Sequence, residues 1–198
     1  MQRVGANRKR IIIEIAFICL ILFLISLDQT TKIFFKDLRE NKGFSVGSTI
    51  VVIKGFFYFK SVPLNDAAAY GFLGGLSWRQ TFFIILTFIA IIGFIYLYYY
   101  SVKKNYTFMK VAVIFIIAGA IGNLIDRLAY GGVVDFLTIE IGSFTPFAVF
   151  NLADTFLSVG LILLIIHFFF LDENAVFSKK QKETAQNKDG NEDNKSSE

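Results

Sequence analysis

Cysteine, histidine and proline are nearly missing from this 198-residue chain, which has one Cys, one His and two Pro. A single cysteine excludes an intramolecular disulfide, so the fold must hold by packing alone. Cys19 lies inside an apolar run and reads as a space filler. No Cys/His spacing suggests a metal site, and no Ser–His pair falls where a catalytic triad needs one. No cofactor motif is present either. The net charge of +4 is small, and basic residues cluster at the two ends and in one short loop, although Lys36, Arg39, Lys42, Lys54 and Lys60 lie in the long stretch 33–78. That arrangement suits a membrane-orientation signal and argues against nucleic-acid binding.

What the chain does have is apolar mass in blocks. Hydrophobic residues make up 55% of it, with 24 Phe and a mean hydropathy of +0.57, against about 45–50% apolar in ordinary soluble domains. Four runs approach or reach the roughly 20 residues that cross a bilayer. They predict helices over about 11–28, 80–100, 108–128 and 152–171. A basic start followed by an apolar stretch could be a secretory signal. No small-x-small cleavage site follows, however, and the run ends in Leu-Asp-Gln-Thr-Thr-Lys (27–32), so it reads as an uncleaved first helix. The second run closes on an interfacial aromatic belt, Tyr-Leu-Tyr-Tyr-Tyr. The third contains Ala118, Gly119 and Gly122, which permit close helix contact in a membrane. The polar tail from about residue 173 reads as disordered.

Between the first two helices, residues 33–78 are mixed. The runs 49–54 and 56–62 are β-branched and aromatic, broken by Gly55 and Pro63, and suggest a small antiparallel ribbon. Two readings stand for it: a cradle and lid for a ligand at the membrane surface, or a plain loop whose aromatics rest among the headgroups. The predicted fold class is thus an all-α integral membrane protein with four transmembrane helices and a small extracytoplasmic β-cradle. One membrane domain spans 1–172, with a cytoplasmic tail over 173–198. Basic residues at the N-terminus, in the 101–107 loop and after the fourth helix place both termini in the cytoplasm. The loop 129–149 has no Lys or Arg and falls outside.

This topology brings distant polar residues to one level, the outer ends of the helices. Asp28 and Lys32 end the first helix, and Asn123, Asp126 and Arg127 end the third. Asn151 and Asp154 begin the fourth, while Asp135 lies in the short outer loop. Plain explanations exist for several. Asn151 is a good N-cap, and Asp154 at N3 favours the helix dipole. Arg127 could snorkel with Asp126 as its partner, and Asp28 with Lys32 makes an ordinary i,i+4 surface pair. Asp135, between Val133-Val134 and Phe136-Leu137, has no cation near it in sequence. His167 falls near the inner end of the fourth helix and reads as a packed or interfacial residue.

Two carboxylates brought together at a partly dehydrated surface cannot both ionise cheaply. One keeps its proton and the other stays charged, which is the working state of aspartic proteases. Asp135 and Asp154 are the pair best placed for that state, activating a water against a peptide carbonyl.

With these residues assembled, the chain resembles the lipoprotein signal peptidases (signal peptidase II) of bacteria over roughly residues 10–172. The resemblance rests on Asp-Gln-Thr-Thr-Lys (28–32), Gly-Asn-Leu-Ile-Asp-Arg (122–127), Gly-Gly-Val-Val-Asp-Phe (131–136) and Phe-Asn-Leu-Ala-Asp (150–154). It implies catalytic aspartates at Asp135 and Asp154. Supporting or substrate-binding residues are implied at Asp28, Lys32, Asn65, Asn123, Asp126, Arg127 and Asn151. The implied activity is aspartyl endopeptidase cleavage of diacylglyceryl-modified prolipoproteins, just before the lipidated Cys, in the bacterial inner membrane. It also implies inhibition by globomycin, contact with membrane lipid, a site on the periplasmic face, and a lid around 65–76; a monomer is expected. One departure is that Ala67 stands where the family has Gly. The rival class, a small ion-coupled transporter or channel subunit, predicts charges strung across the membrane depth. Here the four helices are nearly free of charge at mid-bilayer, with Glu14 near the inner end of the first and Lys110 near the inner start of the third. A non-catalytic binding homologue is a further alternative that the paired aspartates oppose.

Overall fold

The computed structural model describes residues 2–66, 78–141 and 148–172. Apart from Asn65 and Asp66, the expected lid lies outside the described residues, as does the 173–198 tail. Among the described residues, four helices are long and apolar enough to cross a membrane. Helix α1 spans Gln2–Asn41, α2 Arg79–Lys104, α3 Thr107–Tyr130 and α4 Leu152–Ile166, the last running on as a π-helical turn, His167–Leu171. Strands β1 (Thr49–Ile53), β2 (Phe57–Lys60) and β3 (Leu137–Ile139) form an antiparallel sheet in that order.

Helix α3 is the centre of the bundle. Met109, Ala112, Val113, Ile114 and Ala118 are wholly buried in it, whereas α2 and most of α1 turn apolar side chains outward, as lipid-facing helices do. Helices α3 and α4 meet at small residues. A Cβ on Gly119 would fall 2.4 Å from the Ala153 carbonyl oxygen, and one on Gly160 2.7 Å from that of Ala112. Glycine there lets the backbones touch, which matches the spacing read from the sequence. At the far end of the bundle, Lys110 pairs with Glu14 at 3.2 Å, and the Tyr98 hydroxyl donates to Glu14. Cys19 is exposed on the outer face of α1 and fills no interior space.

The first helix departs from expectation by continuing to Asn41 rather than ending near Asp28. At 1.5 Å per residue its 40 residues reach about 60 Å, twice the thickness of a hydrocarbon core. Nothing between Asp28 and Asn41 breaks a helix. Lys36 pairs with Glu40 at 2.8 Å, and Asn41 donates to Asp37 at 2.8 Å. Gly43 then turns the chain with φ of 77°. This extension carries Phe35 into the sheet, where its ring stacks on Phe136 at 4.2 Å and meets Phe59 at 4.7 Å. The expected two-stranded ribbon also gains a third strand, because Phe57, Tyr58 and Phe59 pair with Ile139, Thr138 and Leu137. The cradle is therefore stitched to the loop that carries Asp135.

Candidate active site

Asp135 owes its position to three backbone anchors. Asn65 and Val133 exchange two backbone bonds of 2.8 Å on one side. On the other side Phe136 and Leu137 both donate to the Phe150 carbonyl, at 3.0 and 2.8 Å, and the Phe136 carbonyl accepts from the Lys60 amide at 2.9 Å. Between these ties the carboxylate is 6% exposed. Asn65 Nδ2 donates to Asp135 Oδ2 at 2.8 Å and Asn151 Nδ2 to Oδ1 at 2.8 Å.

Asp154 is placed by the start of α4. Asn151 is the N-cap and Asp154 occupies N3, and each side chain accepts the other's backbone N–H, at 3.0 and 3.1 Å. This capping box satisfies two otherwise orphaned donors. It also leaves Asp154 Oδ1 free to accept from Asn123 Nδ2 at 2.8 Å. The capping explanation and a place in the site are therefore compatible, since one residue does both. Asp154 remains partly exposed while Asp135 is buried.

Lys32 is the hub behind the pair. Its three ammonium donors reach Asp28 Oδ2 at 2.9 Å, Asp126 Oδ2 at 3.2 Å and Asn123 Oδ1 at 2.9 Å. Asn123 Oδ1 also accepts from Asn151 at 3.1 Å, so its Nδ2 is left for Asp154. Asp28 Oδ1 takes the Ala153 N–H at 2.9 Å, and Asp126 Oδ2 takes that of Val134 at 3.0 Å. The two supporting carboxylates thus fix the backbone beside each member of the pair. Glycine is required at residue 122, where a Cβ would lie 2.5 Å from Asp28 Oδ2.

Two expectations are corrected here. Asp28 and Lys32 do form an i,i+4 pair, but at 0% and 1% exposure it is interior rather than on the helix surface. Asp126 pairs with Lys32, not with Arg127. Successive residues on a helix point about 100° apart, so Asp126 faces α1 while Arg127 faces α2. There Arg127 lies 5.5 Å over the Phe83 ring and donates to the Asn123 carbonyl. Gln29 was missed by the sequence reading. Its Nε2 bridges Asp28 Oδ2, Asp126 Oδ1 and the Gly122 carbonyl, each at 3.1 Å. Its place beside Asp28 was a signal, but its partners lie on another helix.

Burial, and after it the Asp154 charge, push the Asp135 carboxyl up to about 7, well above the ordinary 3.8. The site therefore holds a buried carboxylic acid that keeps a proton near neutrality beside a second, partly exposed aspartate, and among the described residues no cation forms an ion pair with either. His167 stands apart, buried against Tyr106 in the π-helical turn.

A family model described as Signal peptidase (SPase) II matches residues 20–170. The chain is 37% identical to the lipoprotein signal peptidase of Staphylococcus carnosus over 158 residues, 78% of this chain and 92% of that one. It is 39% identical to the lipoprotein signal peptidase of Clostridium tetani over 163 residues, 82% and 97% of the two chains. Two solved bacterial membrane enzyme structures, obtained by the in meso method, are each 34% identical to it. Their TM-scores are 0.64 and 0.65, with 81% and 79% of this chain and 94% of each of those covered.

Proposed function

The chain belongs to the signal peptidase II family, and from that premise we propose that it is an aspartic endopeptidase cutting diacylglyceryl-modified prolipoproteins before the lipidated cysteine. The observation that carries this reading is the double contact of Asn151, whose side chain donates to Asp135 at 2.8 Å and whose backbone donates to Asp154 at 3.1 Å. One residue thereby holds two unlike carboxyls together.

Asp154 acts as base and takes a proton from water as the water oxygen attacks the scissile carbonyl. Asp135 passes its proton to the carbonyl oxygen as charge develops there, which gives a neutral tetrahedral intermediate. Collapse of the tetrahedral intermediate returns the carbonyl proton to Asp135, while the departing amine leaves with the proton held by Asp154. Asn65, Asn123 and Asn151 keep both carboxyls oriented. Asp28, Lys32 and Asp126 hold those amides and the adjoining backbone. Arg127, beside the dyad, aids substrate binding. Neither a metal nor a cofactor is needed for any step. The protein works as a monomer in the bacterial inner membrane, with both termini cytoplasmic and the site at the periplasmic face. Membrane lipid surrounds it, and globomycin inhibits it.

The test uses the full chain in lipid vesicles with a synthetic peptide carrying a diacylglyceryl cysteine. Mass analysis is expected to find one cut, immediately before that cysteine, undiminished by EDTA. Cleavage elsewhere, or equal cleavage of the unmodified peptide, contradicts the reading.

A further inference from the structure

Gln29 bonds to neither Asp135 nor Asp154, and the mechanism above gives it no task. Its side chain nevertheless stands where α1 and α3 approach tightly, since a Cβ on Gly122 would lie 2.5 Å from Asp28 Oδ2. Gln29 Nε2 lies 3.1 Å from each of three acceptors, Asp28 Oδ2, Asp126 Oδ1 and the Gly122 carbonyl oxygen. An amide oxygen would be repelled by three acceptors, so the amine end of the side chain faces them. That end has two protons, and a bond to a charged oxygen is stronger than one to a neutral carbonyl. The two carboxylates therefore take them.

Each of those carboxylates holds the backbone beside one member of the pair. Asp28 Oδ1 accepts the Ala153 N–H at 2.9 Å, one residue before Asp154, and Asp126 Oδ2 accepts the Val134 N–H at 3.0 Å, one residue before Asp135. Lys32 joins the two carboxylates through their Oδ2 atoms, at 2.9 and 3.2 Å. A carboxylate held by one oxygen can still turn, because its terminal torsion is broad. Gln29 removes that freedom from Asp126, for among the described residues it is the one side chain bonded to Asp126 Oδ1. Being neutral, it adds donors between two like groups without adding a charge near the pair.

Resting on the reading above, we propose that Gln29 is a positioning residue for the peptidase reaction. It ties Asp28 on α1 to Asp126 on α3, and through them it sets the spacing of the backbone segments that carry Asp154 and Asp135. Without it the two carboxyls drift from their productive spacing, which slows the chemistry and leaves substrate binding alone. Gln29 itself takes no part in proton transfer.

The test is single-turnover cleavage of a diacylglyceryl-cysteine peptide by the full chain carrying Gln29→Met, in vesicles of neutral phosphatidylcholine with enzyme in excess. Methionine is unbranched and of similar length, and it donates no hydrogen bond. The rate constant of cleavage is expected to fall roughly tenfold to a hundredfold, the range of one hydrogen bond to a charged group. The Kd of the peptide is expected to stay within about twofold. A residue needed only for folding lowers the amplitude of cleavage, which counts competent molecules, and leaves the rate constant unchanged. A rate constant within about fivefold of the parent overturns the proposal, as does a loss confined to amplitude or to peptide affinity; in each case the peptidase reading stands. Should Gln29→Met not fold, Gln29→Asn, whose amide is one methylene too short to span both carboxylates, is measured with the same expectations. If neither variant folds, Gln29 serves folding and the positioning role falls. Failure of the unaltered protein to cut any lipidated peptide removes the peptidase reading and this role with it.

Discussion

Asp135 and Asp154 are chemically alike, and the fold makes them different. Asp135 is buried between backbone ties, while Asp154 sits at a helix N-terminus with two donors and partial access to water. A carboxyl held at about 7 in the fold and at 3.8 in the unfolded chain is protonated below its folded value. The folded state then binds the extra proton between those limits, so its contribution to stability is full below 3.8 and fades as pH rises through about 7. In the proposed mechanism the same proton is the one that Asp135 gives to the scissile carbonyl. We predict that kcat/KM falls above about pH 7, with a slope of one proton, in a profile measured on the full chain in vesicles. A profile flat to pH 9 counts against Asp135 as the acid.

At the scale of elements, the site is assembled by helix ends and by one three-residue strand. Asn151 shows how a cap and a site can be separated. Serine caps a helix about as well as asparagine, but it has no amide to reach Asp135 or Asn123. Asn151→Ser is therefore expected to keep thermal stability within about 1 kcal/mol of the parent while lowering kcat at least tenfold. Equal loss of both, followed by thermal melting and turnover, says that Asn151 matters only as a cap. The capping pattern, the four apolar runs and the small residues of α3 were legible because each is local, written in spacings of a few residues. Strand β3 was not, since Leu137–Ile139 is too short to show a period and is defined by pairing with residues some 80 positions earlier. The continuation of α1 was hidden for a related reason. Its residues 29–41 carry no long apolar run, and their apolar face exists only against the cradle.

Across the whole molecule, the sequence pattern brought these polar residues to one end of the bundle but could not say how they pair. Asp126 looked like the partner of Arg127 because they are neighbours in the chain. In three dimensions it belongs to Lys32, 94 positions away, through a contact only the packed bundle makes. The topology itself is open to direct measurement. In a Cys19→Ser background, a single cysteine placed at Lys104 is expected to resist a membrane-impermeant maleimide in intact cells. One placed at Glu140 is expected to react. The opposite pattern reverses the proposed orientation and moves the site to the cytoplasmic face.

The central claim is that Asp135 and Asp154 do the chemistry together. It is tested most directly by purifying Asp135→Asn and Asp154→Asn and measuring single-turnover cleavage of a diacylglyceryl-cysteine peptide. Each variant's melting temperature and substrate binding are followed in parallel. Both are predicted to bind the peptide and remain folded while cleavage falls by at least a thousandfold, about 4 kcal/mol of transition-state stabilisation. Cleavage within tenfold of the parent by either variant contradicts the account.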